Sequence, residues 1–235
     1  MKLTAEQIDQ LYLFTRQHYV EYYDLQSELV DHLANAIEAQ LELSPKLTFD
    51  EALQIEFKKF GVFGFMDVLY KRRAVLNKKY YKIVWQYFKD FFSIPKIVLT
   101  TAMTLALFIV LKFSVYREYI FMGTYLLLFI TMFYELYKNH KTTKNRKQSG
   151  EKLWLFEEVI HNYGSISAII TVPFNTMIHI FNHPEEYLIN DYEILGLSFF
   201  LVSFSLFLFI IFKIIPSKAT EYLEATYPEY KLENV

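Results

Sequence analysis

The chain has 235 residues, 53% hydrophobic and 19% aromatic, with six glycines, six prolines and no cysteine. The missing cysteines exclude disulfides, thiolate metal sites and cysteine nucleophiles, and so little glycine and proline excludes a collagen-like or loop-rich chain. A net charge of −2 excludes little as a total, but the charge is unevenly spread: residues 1–70 carry twelve acidic and five basic side chains, and residues 71–89 carry seven basic and none acidic.

The opening MKLTAEQIDQ lacks a charged start, an apolar core and a small-residue cleavage site, so no cleaved leader is expected. Thr4 and Gln7 have the spacing of a capping box, and Ile8, Leu11, Tyr12, Thr15, Tyr19 and Tyr22 follow at helical intervals. Asp24 reads as the N-cap of a second helix with an apolar stripe of Leu25, Leu29, Leu33, Ala36, Ile37 and Leu41. The SPKL run at 44–47 breaks that helix. Thr48 and Glu51 form a second capping box for a third helix, which carries Phe49, Leu53, Phe57 and Phe60 and stops at Gly61. With no alternating pattern to compete, residues 1–70 are expected to form a small helical domain. That size is close to the lower limit for folding alone, so outside support is expected.

A long helix is predicted from about residue 63. Its basic side chains Lys71, Arg72, Arg73, Lys78, Lys79, Lys82 and Lys89 interleave with Tyr80, Tyr81, Trp85, Tyr87 and Phe88. Such a mixture suits the headgroup layer of an anionic leaflet, with Lys71, Arg72, Arg73, Lys78, Lys79, Lys82 and Trp85 as interface anchors. The same basic–aromatic run also has a nucleic-acid reading, but an apolar span begins a few residues later, beyond Pro95, so a membrane surface is expected and a nucleic-acid partner is not. Four spans are predicted, at about 97–115, 119–137, 163–181 and 192–215. Short connections at 116–118 and 182–191 make two antiparallel hairpins, and the basic link at 138–152 is expected to be a mobile loop. Lysine and arginine concentrate before the first span and in that link, while the 182–191 connection offers Glu185, Glu186 and Asp191 and no basic residue. The bias puts both termini in the cytoplasm when the third span, which contains Pro173, Asn175 and His179, crosses; if that span does not cross, the tail lies outside. The expected architecture is all-α: a helical domain at 1–70, an amphipathic interfacial helix at 71–95, a four-helix transmembrane bundle at 96–216 and a cytoplasmic tail at 217–235.

Three constellations could carry chemistry. Glu28, Asp31 and His32 lie within about one turn on the second helix. A zinc site needs three or four converging ligands, and this edge offers two, so it reads as a docking edge with Glu28 hydrogen-bonding His32. Ser167, Thr171, Asn175 and His179 recur every four residues along the third span, beside Pro173. In hydrocarbon they are either interhelical glue or the lining of a polar pathway. Glu157 and His161 form an i,i+4 pair at the wet end of that span. No phosphate-binding loop, nucleophile elbow or dinucleotide fingerprint is present. No catalytic residue, metal ligand or cofactor site is therefore assigned.

The pattern Glu28-Leu29-x-Asp31-His32-Leu33, then Phe49-x-Glu51-Ala52 and Phe57-x-x-Phe60-Gly61, resembles the HAAS-type helical signalling domain of bacteria. The resemblance covers about residues 5–70. It implies a small cytoplasmic helical domain fused to several membrane spans, in a regulatory setting and often encoded beside PadR-type transcription regulators. The region is similar too to helical prefix domains of some ABC-type permeases, although no permease domain or ATP-binding motif follows. The chain as a whole looks like a family of bacterial multi-pass inner-membrane proteins. The expectation is a membrane-anchored regulatory protein, not an enzyme. Its cytoplasmic domain would dock a protein such as a transcription regulator or a permease, and its membrane helices would meet anionic lipid. A small transporter or channel component using the third-span stripe is the alternative.

Overall fold

The computed structural model describes residues 2–149, 151–164, 166–182 and 190–233. Among these residues the protein is all-helical, with one isolated bridge pairing of Tyr22 with Leu153 and no strand. The chain divides into two units: Met1–Lys78, Arg146–Val159 and Leu223–Val235 form the first, and Lys79–Asn145 and Ile160–Tyr222 form the second.

In the first unit, α1 (Ala5–Gln17) and α3 (Phe49–Lys58) both start as the sequence predicts. Thr4 and Thr48 each accept from the backbone of the residue three on, while Gln7 and Glu51 return the bond. Helix α1 stops earlier than its stripe suggested. His18 turns its Nδ1 onto the Phe14 carbonyl at 2.8 Å, and Tyr19 enters the left-handed region at φ +65°, so Tyr22 does not extend that helix. Helix α2 (Tyr23–Leu43) buries Leu25, Leu29, Leu33, Ile37 and Leu41. Asp24 is not its N-cap. Tyr22 takes that place without a side-chain bond, and Asp24 sits buried in the first turn. Helix α4 (Phe65–Asp90) leaves a turn in which Gly61 and Gly64 have positive φ. A Cβ on Gly64 would come within 3.0 Å of the Phe57 ring, so the close approach needs glycine. Phe57, Phe60 and Phe65 meet there edge to face, at 4.9 Å for each pairing with Phe65.

The second unit contains three helices long and apolar enough to cross a membrane: α5 (Lys96–Phe113), the 117–146 stretch of α6 (Arg117–Ser149), and the run that begins with α9 (Asp191–Phe209) and reaches Ser217. The apolar window of the last is 50% buried, against 22% and 17% for α6 and α5, so α9 is the central helix of this unit. Between them in sequence come α7 (Leu155–His161), most of which belongs to the first unit, and α8 (Ile166–Asn182), with Pro173 inside it. The link at 138–152 is not a loop. Helix α6 continues to Ser149, because lysine, arginine and glutamine sustain a helix and no glycine or proline interrupts them before Gly150. Past Phe209 the helix widens to a π segment at Ile210–Ile214, where Ile215 donates to the Ile210 carbonyl. Pro216 accounts for this: lacking an N–H and crowding the turn before it, proline cannot continue the α-helical ladder. The core of this unit is aromatic. Tyr125, Phe200 and Phe204 stack at 6.1–6.2 Å, and Tyr125 donates its hydroxyl hydrogen to the Pro173 carbonyl at 2.7 Å.

Candidate functional site

Every side chain of the predicted docking edge is exposed. Glu28, Asp31 and His32 lie on the α2 face opposite its buried stripe. The expected Glu28–His32 hydrogen bond does not form. Glu28 instead reaches Arg72 of α4 at 3.9 Å, and His32 sets its ring against Phe60 at 6.0 Å. The guanidinium brings a full positive charge to the carboxylate, and an aromatic ring edge holds the imidazole plane. His18 belongs to the other end of the same aromatic group, packed on Phe57 at 4.4 Å. No group of three or more metal-ligating side chains converges among the described residues.

Behind this edge is a junction that sequence reading missed. The 151–158 segment returns from far along the chain and is stitched to the start of α2. Tyr23 donates its N–H to the Leu153 carbonyl at 2.8 Å, and Leu155 donates to Asp24 Oδ1 at 3.0 Å. Trp154 is 3% exposed and packs on Tyr23 from α2 and on Tyr227 and Tyr230 near the C-terminus, at 5.4, 4.9 and 5.3 Å. Arg73 donates to the Tyr22 hydroxyl at 3.1 Å and to Glu158 at 3.2 Å. Burial raises Asp24 above the ordinary carboxylate range, against the opposing pull of the Leu155 N–H, the Tyr227 hydroxyl and Arg72. Tyr227 is pushed up in turn, first by burial and then by the Asp24 charge beside it. The sequence signal, in hindsight, was Trp154 itself: a tryptophan among charged residues needs a partner surface.

Next to the junction is a cavity of about 360 Å³, lined by Tyr12, Arg16, Glu21, Tyr23, Gln26 and Lys152 among others. Arg16 is exposed, and Lys152 rests its ammonium 4.1 Å from the centre of the Tyr23 ring.

The predicted interface anchors separate into two sets. Arg72 and Arg73 turn toward α2 and Glu158, and Lys71 pairs with Asp67 at 2.6 Å. Lys78, Lys82, Trp85 and Lys89 are exposed, at helical spacing along one face of α4. Leu76, Tyr80 and Val84 occupy the buried face, and Lys79 is half-buried between the two. Of the third-span stripe, the Ser167 side chain lies outside the described residues, as do Glu185 and Glu186 of the 182–191 connection. Thr171, Asn175 and His179 are exposed on α8. Glu157 is held by Arg146 at 2.5 Å.

Compared with protein-family models, curated proteins and solved structures, the chain matches none.

Proposed function

We propose that this protein is a membrane-anchored regulatory protein of the bacterial inner membrane, whose helical N-terminal unit docks a cytoplasmic partner. The observation that carries the reading is the exposed edge of α2. A helix with a fully packed face presents Glu28 and Asp31 outward, in a region with twelve acidic and five basic side chains. An acidic edge steers a basic protein surface and repels nucleic acid. The resemblance of residues 5–70 to HAAS-type domains supports the regulatory setting, and a PadR-type regulator or a permease is the partner class it suggests.

In this reading α8 is the remaining span. Its 17 residues rise about 26 Å, near the short limit for a crossing helix. The lysine-rich helix ends lie on the cytoplasmic side, as do both termini. Transport through the α8 stripe is the second reading. It needs Thr171, Asn175 and His179 to line an interior, whereas they face outward from their unit.

Charge reversal tests the first reading. The full chain carrying Glu28→Lys and Asp31→Lys is expected to insert in membranes as before and to lose at least about tenfold in capture of its partner from native membranes. Unchanged capture would remove the docking assignment.

A further inference from the structure

We propose that the groove between α5 and α9 binds one acyl chain of an anionic phospholipid, with Lys89 and Lys96 at its mouth. The groove has a volume of about 570 Å³ and is walled by Phe92, Ile97, Thr101, Leu105, Gly196 and Phe199 among others. It also includes Thr100 and Thr104, but their hydroxyls are turned away. Thr100 donates to the Phe91 carbonyl at 2.8 Å and Thr104 to the Thr100 carbonyl at 2.9 Å, which leaves their methyl groups for a ligand. A Cβ placed on Gly196 would meet nothing within 4 Å, so the channel is open above that residue.

The surroundings select the occupant. Both walls are helices apolar enough to cross a membrane, and among the described residues no charged side chain lines the cavity. A concave apolar surface at that depth is filled by hydrocarbon. From Ile97 to Leu105 the wall rises about 12 Å, enough for the upper part of an acyl chain. The two ends differ in charge. At one end Lys112 is neutralised by Asp191 at 2.6 Å. At the other, Lys96 sits 5.1 Å from the Phe91 ring centre and Lys89 5.5 Å from that of Trp85, and neither makes an ion pair among the described residues. Asp90 is the single acid between residues 71 and 117. A phosphate would satisfy these two ammonium groups, whereas a second copy of the chain would bring the same cations to the same place. The inference rests on the membrane reading of α5 and α9 and is independent of partner docking.

The test uses the full chain in vesicles containing a phospholipid with a photoreactive acyl chain, either phosphatidylglycerol or phosphatidylcholine. Labelled peptides are expected at 97–105 and 192–199, about fivefold or more stronger with phosphatidylglycerol. Gly196→Leu, or Thr101→Phe at an exposed groove position, is expected to remove that label and spare label on α6. Lys89→Gln with Lys96→Gln is expected to equalise the two lipids. Label spread evenly over α5 and α6, and indifferent to Gly196→Leu, would overturn the site. So would an intermolecular disulfide in Gly196→Cys, a clean probe because the chain has no other cysteine. Release of the protein by alkaline carbonate would show instead that the membrane reading itself had failed.

Discussion

Asp24 shows what a single residue does here. It is 8% exposed, and burial is the largest influence on its carboxyl, raising it above the usual range. A group raised in the folded state contributes stability that is fully present below its unfolded pKa and is lost as pH rises through the folded value. The first unit is therefore expected to gain stability as pH falls through the raised value of Asp24. Asp24→Asn keeps an oxygen for the Leu155 N–H and removes the charge, so it is expected to match or exceed the parent at neutral pH and to flatten this dependence. Asp24→Ala leaves the N–H buried without a partner and is expected to cost about 1–3 kcal/mol. Urea unfolding followed by Trp154 fluorescence, in a Trp85→Phe background, measures both across pH. A parent and Asp24→Asn with parallel pH profiles would contradict the assignment. The sequence marked Asp24 as an N-cap because aspartate before an apolar stripe has that local meaning. The competing acceptor role required Leu155, 131 positions away, to arrive beside it.

Elements with local punctuation were the most legible. The starts of α1 and α3 follow from Thr4–Gln7 and Thr48–Glu51, because a capping box closes within four residues and needs nothing else. Thr48→Ala is accordingly expected to destabilise the first unit by about 1 kcal/mol, with Thr48→Ser nearly neutral. The same unfolding measurement checks it, and equal losses in both variants would argue that packing of the threonine methyl matters more than its oxygen. The C-terminal part of α6 is helical where its polarity predicts a loop, because polarity does not require irregular backbone. A lysine-rich run without glycine or proline is polar and helical at once, and Arg146 then reaches Glu151 at 2.8 Å and Glu157 at 2.5 Å. Along α4 the seven basic residues looked equivalent in sequence. Burial of Leu76, Tyr80 and Val84 sets the face on which Lys78, Lys82, Trp85 and Lys89 remain exposed, while Arg72 and Arg73 are drawn into the first unit.

At the scale of the whole molecule, the first unit is not a continuous piece of chain. Residues 1–78 share it with 146–159 and 223–235, and Trp154 joins the three. Trp154→Ala is expected to cost about 3–5 kcal/mol. Removing 223–235 takes away Tyr227 and Tyr230, and limited proteolysis of the full-length and shortened proteins is expected to show faster cleavage within 1–78 in the latter. Equal cleavage rates would mean that the N-terminal helices stand without that support. Composition and periodicity alone determined that the chain is helical and that it carries helices apolar enough for a membrane, because both properties are written in neighbouring residues. What only the tertiary structure decided is which distant segments complete the first unit, how Asp24 and the arginines are used, and where α5 and α9 leave a groove. Those outcomes depend on meetings such as that of Leu155 with Asp24, 131 positions apart, and no local pattern encodes them.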